Sequence, residues 1–173
     1  TGHGVGKDYS VTAIIDLKSG EVVADIMDNL IAPPAFSNLS MKLLEKYKNP
    51  TWVIETNDQG QEVYNIAKDD NYKRLYRSET KRGKVDGWRS SEYNRWELWG
   101  ELKKMFNTGN LTVLNAEGLA QFVDVIRNPK NRGRDEASSG ANDDYPTACG
   151  LALQVKYASY TNSGEAIQMP TLW

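Results

Sequence analysis

The run SVTAIIDLKSGEVVADIM, residues 10–27, decides the fold. Its first half is dense in β-branched residues, KSGE at 18–21 has the composition of a tight turn, and VVADIM at 22–27 resumes the pattern. Such side chains suit a packed, pleated surface, so the run reads as an antiparallel hairpin. Outward from it, residues 32–49, APPAFSNLSMKLLEKYKN, predict a helix. Pro34 fits its first turn, and Phe36, Leu39, Leu43, Leu44 and Tyr47 recur on one face at helical spacing. TWVIE at 51–55 is a short continuous apolar run, the pattern of a buried parallel strand. A helix over 59–68 and a short strand at 74–77 follow.

The second half continues the alternation. SETKRGKVDGWRSS at 78–91 reads as a cation-bearing loop, and residues 92–106 as a helix with Trp99, Leu102, Met105 and Phe106 on one side. LTVL at 111–114 predicts a strand and AEGLAQFVDVIRN at 116–128 a helix. PKNRGRDEASSGAN at 129–142 reads as a surface loop or short hairpin. The last helix spans 143–160, with Ala148, Leu151, Ala152, Val155 and Ala158 apolar. The expectation is one α/β domain over 1–161, mixing antiparallel with parallel strands, and a loosely held tail at 162–173.

Bulk properties narrow the function classes. A chain of 173 residues is long enough to bury a full core. It has no apolar run of the roughly 20 residues a membrane span requires, and its Gly-rich start does not resemble a signal peptide. One cysteine, Cys149, cannot form an internal disulfide, which suits a reducing cytoplasm. One His, His3, and one Cys argue against structural zinc, so any metal falls to carboxylates, which favour magnesium or manganese. The net charge of −2 does not announce a polyanion partner; only local basic clusters could hold one.

TGHGVGKDYS at 1–10 comes close to a phosphate-binding P-loop, but Thr1 stands where the first Gly belongs and Asp8 where a hydroxyl should hold magnesium. Four acidic residues at three places in the chain carry more weight. Glu55 ends the apolar run Trp52-Val53-Ile54, and the carboxyl ends of strands are where open α/β sheets bind ligands. Asp143 and Asp144 open the last helix, where a cap needs only one of them. Asp8 follows a Gly-rich turn, where it could instead stabilise local backbone. Acids gathered from separate elements, without His or Cys, are what a two-metal phosphoryl-transfer site needs, its cations roughly 3.5–4 Å apart.

These motifs together resemble the C-terminal nuclease domain of the large terminase subunit of tailed bacteriophages, which has an RNase H-like fold. GHGVGKDYSVTAIIDLKSGEVVA at 2–24 resembles its Gly-rich loop, Asp and hairpin, and VIETNDQGQEV at 53–63 its second acidic motif. GWRSSEYNRWELWGELKKMFNTGNLTV at 87–113 is similar to its basic loop, helix and short strand. NDDYPTACGLAL at 142–153 resembles the paired-Asp motif at its last helix. The resemblance implies a mixed central β-sheet flanked by α-helices. By position it makes Glu55 and Asp144 metal ligands, Asp143 their neighbour and Asp8 an auxiliary acid near the metals. It also implies a first catalytic Asp one residue ahead of the Gly-rich loop, expected just before Thr1; a variant lacking it should be inactive.

The implied activity is endonucleolytic cutting of concatemeric double-stranded viral DNA with Mg2+ or Mn2+, in the host-cell cytoplasm. The implied partners are an upstream ATPase domain carrying the true P-loop, the small terminase subunit and the portal protein. Phosphate contacts are expected from Lys7, from Lys81, Arg82, Lys84 and Arg89, and from Lys130, Arg132 and Arg134. Trp88, beside Arg89, could pack on a sugar or base or cover local core. Two other readings stay open: a non-catalytic docking or DNA-binding module of the packaging motor, and a junction-resolving nuclease of the same fold.

Overall fold

The expected hairpin forms as β1, Ser10–Asp16, and β2, Glu21–Asp28, paired antiparallel in a computed structural model that describes residues 8–80, 83–128 and 133–155. Both faces of this hairpin are covered, which is why its sequence is apolar without strict alternation. Val11, Ala13, Ile15, Val22 and Met27 pack against one core cluster, while Ile14, Ala24 and Ile26 pack against a second. A bulge makes this possible. Ile14 pairs with Ala24 and Ile15 with Val22, so Val23 is skipped and the register shifts between two adjacent residues of β1.

The second cluster joins Ile14 to Phe36, Leu44, Trp52, Ile54, Val63 and Tyr64. Helix α1, Pro33–Lys46, begins with Pro34 in its first turn as expected, but the face it buries differs from the sequence reading. Pro33, Phe36, Ser37, Ser40 and Leu44 are inward, whereas Leu39 and Tyr47 remain exposed. Small hydroxyls let α1 sit close to β1: Ser40 Oγ and Thr12 Oγ1 share a buried hydrogen bond of 2.7 Å. Helix α2, Gln59–Asp69, packs beside α1 and buries Val63, Tyr64 and Ala67.

Residues 51–55 do not form a full strand. Trp52 and Glu55 make isolated parallel bridges to Leu75 and Trp88. The Trp52 amide donates to the Arg74 carbonyl, and the Trp88 amide to that of Ile54. The loop expected at 78–91 is instead a hairpin of β3, Arg77–Thr80, and β4, Gly83–Asp86. Asp86 anchors it, pairing at 2.9 Å with both Arg77 and Lys68 of α2. Helix α3, Glu92–Asn107, starts with a capping box at Ser91 and Asn94, and buries Leu98, Trp99 and Leu102.

The helix expected over 116–128 ends early. Helix α4 is Ala116–Asp124, and the β-branched Val125 and Ile126 begin β5, Val125–Asn128, which pairs with β6, Arg134–Ala137. The hairpin alternative for 129–142 is therefore the one observed, using part of the segment read as helix. LTVL contributes only a bridge from Thr112 to Glu21. Helix α5, Asp144–Gln154, is buried on several sides through Tyr145, Cys149, Gly150, Leu151 and Leu153.

Among the described residues, the expected central sheet is not one continuous ladder but three two-stranded hairpins stitched by bridges. β1 spends one edge on β2, and residues 52–56 bond toward 74–76 and 88. Between these two segments lies a cavity rather than a ladder. The tail expected at 162–173 lies outside the described residues.

The Thr12–Ser40 pair yields a stability test. Thr12→Val or Ser40→Ala alone leaves a buried hydroxyl or its partner position unmatched and should cost about 1–3 kcal/mol in urea denaturation. The double variant should cost clearly less than the sum, because no orphaned hydroxyl remains; strict additivity would show that the pair contributes nothing.

Candidate active site

The cavity beside β1 measures about 190 Å³. Its walls come from β1, from residues 50–55 and from α5, closed by Phe36 and Leu44 of α1 and Val63 of α2, and both Glu55 and Asp144 line it. No lysine or arginine does so among the described residues. Thus two acids 89 positions apart in sequence (144 − 55) line one cavity in whose wall no described lysine or arginine stands. Of the face of α5 expected to be apolar, Ala148, Leu151, Ala152 and Val155 form an apolar wall of this cavity and Ala158 lies outside the described residues, while Tyr145, Cys149 and Leu153 enter the core.

Asp144 is placed by contacts on three sides of its helix. The Tyr9 amide donates to Asp144 Oδ2 at 2.8 Å, tying the start of β1 to the start of α5. The Tyr9 hydroxyl donates to Glu117 Oε1 at 2.7 Å, so the same residue also reaches α4. One residue on, the Tyr145 amide donates to Gln121 Oε1 at 2.8 Å and its hydroxyl to Asp25 Oδ2 at 2.8 Å. Asn115 caps α4 by accepting from the Gly118 amide, and its side-chain amide donates to the other oxygen of Asp25 at 3.0 Å. Gly118 is obligatory here, since an added Cβ would lie 2.7 Å from the Tyr145 ring.

The capping role open to the Asp pair is not taken. Asp143 occupies the N-cap position of α5 without a side-chain cap bond, and it pairs with Arg95 at 3.5 Å instead. Burial pushes the Asp143 carboxyl above its ordinary range, against the pull of Arg95 and the Ala137 amide. Burial likewise pushes Asp144 up to about 6; the Tyr9 amide opposes the rise, while Asp143 and Asp8 add to it. Asp8 is exposed in a bend just ahead of β1, close enough for its charge to be felt by Asp144.

These residues fit a hard divalent cation in chemistry, being carboxylates in a partly dry setting. Thr147, one turn along α5, also lines the cavity, and its hydroxyl is buried without a hydrogen-bond partner. The ligand set is incomplete: among the described residues, no group of three or more His, Cys, Asp or Glu converges to hold a metal. Glu55 is partly buried and bridges to Trp88 through its backbone.

The expected DNA contacts are only partly placed. Lys84 and Arg89 are exposed on β4 and just before α3. Lys7, Lys81, Arg82, Lys130 and Arg132 lie outside the described residues, as does the side chain of Arg134. Trp88, at 4% exposure, belongs to the core and does not face solvent. Sequence reasoning missed Tyr9, Arg95 and Thr147. The motifs around them were visible, but a backbone donor, a partner 48 residues away and an orphaned hydroxyl leave no sequence pattern.

The raised carboxyl has a stability consequence. Between its ordinary value of 3.8 and about 6, Asp144 is more protonated in the folded than in the unfolded chain, so its contribution to stability falls as pH rises through that window. Asp144→Asn should therefore stabilise the metal-free protein at pH 8 by about 1–2 kcal/mol, the shift being discounted for the solvent that still reaches the group. The gain should vanish below pH 4. Urea denaturation across pH checks this, and a variant no more stable than wild type at pH 8 would contradict it.

No curated protein matches the sequence closely enough to count as a relative. A family model described as Terminase RNaseH-like domain matches residues 1–156, which takes in every element from β1 to α5 together with Glu55, Asp143 and Asp144. The chain thus belongs to the terminase RNase H-like domain family, a nuclease-type module of packaging terminases.

Proposed function

We propose that this domain is a metal-dependent endonuclease that cuts concatemeric double-stranded DNA during genome packaging. The observation that carries the reading is that Glu55 and Asp144 line one cavity. Glu55 and Asp144 would hold Mg2+ or Mn2+, joined by the acid the family places ahead of the Gly-rich loop and with Asp8 as an outer carboxylate. Bound divalent cations supply an activated water and neutralise charge on the leaving oxygen of the phosphodiester.

The rest falls to the chain itself. Tyr9 fixes the rotamer of Asp144 through its amide, so that the carboxylate is held in place before any ligand arrives. The α5 wall of Leu151, Ala152 and Val155 makes one side of the cavity apolar. Lys84 and Arg89, with Lys7, Lys81, Arg82, Lys130, Arg132 and Arg134, would grip the DNA backbone without reading its sequence. Double-stranded DNA, the upstream ATPase domain, the small terminase subunit and the portal protein are the proposed partners. No helix among the described residues is long and apolar enough to cross a membrane.

Glu55→Ala and Asp144→Ala, each in a chain carrying the upstream acid, should lower Mn2+-dependent plasmid cleavage by at least about a hundredfold, the scale set by loss of a group that stabilises transition-state charge. Undiminished cutting by either would refute its assignment. Failure of the intact chain to take up Mn2+ in calorimetry would favour the non-catalytic docking module. Preference for branched over linear DNA would favour a junction-resolving nuclease.

A further inference from the structure

The two adjacent aspartates at the start of α5 face different surroundings. Asp144 lines the cavity with Glu55 and accepts from the Tyr9 amide. Asp143 is absent from the cavity wall. Its Oδ2 lies 3.5 Å from Arg95 Nη2, and the Ala137 amide also donates to its carboxylate. The side chains of Arg95 and Asp143 are only 28% and 24% exposed, so the pair is shielded from most of the screening that weakens surface ion pairs.

Arg95 reaches Asp143 because α3 closes tightly on α5. Leu98, one turn beyond Arg95, packs where Gly150 of α5 has no side chain; a Cβ there would stand 2.4 Å from Leu98 Cδ2 and 2.8 Å from its Cγ. Lys103 of α3 pairs with Asp135 of β6, which pins the helix at its other end, on the strand that also carries Ala137. The guanidinium is thus delivered by packing to one carboxylate of the Asp pair.

We propose that Arg95 is a positioning residue of the cation site: by pairing with Asp143 it turns one carboxylate of the adjacent pair away from the cavity and leaves Asp144 alone to face the ion. The inference rests on the metal-dependent reading above. It makes Asp143 a counterion rather than a ligand, and it sets the charge of the site one unit less negative than the sequence motif suggests. Removing Arg95 leaves Asp143 as an uncompensated negative charge beside the ion, whereas removing Asp143 leaves Arg95 as an uncompensated positive one.

Calorimetric titration with Mn2+ at pH 8, on the chain carrying the upstream acid, separates these roles. Arg95→Met should tighten Mn2+ binding and Asp143→Asn should weaken it, each by about five- to tenfold, the scale of one unit charge acting on a divalent ion across several ångströms of partly wet protein. The double variant R95M/D143N should return to within about twofold of wild type, and Arg95→Lys, which keeps the charge, should stay near wild type. A double variant as weak as Asp143→Asn alone would make Asp143 a ligand and overturn the inference while leaving the metal-dependent reading intact. Wild-type protein that binds no Mn2+ would overturn both. If Arg95→Met does not fold, the comparison of Asp143→Asn with the double variant and with Arg95→Lys still decides.

Discussion

The structure hinges on Tyr145. The residue is fully buried: its hydroxyl reaches β2 at Asp25, its backbone amide reaches α4 at Gln121, and its ring lies against the bare backbone of Gly118. Phe122 adds an edge-on contact to the ring at 6.5 Å between centroids. A buried phenol needs a partner for its hydroxyl, and the Asp25 carboxylate that serves it is itself held by Asn115. The result fixes where α5 begins, and therefore where its first carboxylates point.

From that anchor the site follows. Asp144 precedes Tyr145 by one position and falls beside β1, where Tyr9 supplies a backbone donor. Asp143 precedes it by two and falls toward α3, where Arg95 waits. The paired-Asp motif is thus divided by helix geometry. The cost is visible in Asp144, whose carboxyl is pushed by burial up to about 6.

Much of this was legible in the sequence. The first hairpin, α2 and α3 stand within a residue or two of where periodicity and turn chemistry put them. Glu55 and Asp144 were singled out as acids at element ends, and they share a cavity. What was not legible depends on tertiary contact. The face of α1 was misread because Ser37 and Ser40 count as polar in a pattern, yet a 2.7 Å bond to Thr12 lets Ser40 pack like a small apolar residue. The β3–β4 hairpin hid in a run of charges whose stabilising partner, Lys68, lies in another helix. β5 was read as helix because Phe122, Val125 and Ile126 continue an apolar spacing that strand and helix share over so few residues. The expected mixed central sheet is not seen as one ladder among the described residues because β1 and residues 52–55 frame a cavity.

The central claim is that Glu55 and Asp144 hold one cation site between them. Its most direct test is a crystal of the chain grown with Mn2+ and read at the manganese absorption edge. The account predicts anomalous density in the cavity beside β1, with carboxylate oxygens of both residues within roughly 2.5 Å of metal. Manganese bound elsewhere, or touching one of the two acids while the other points to solvent, would contradict it.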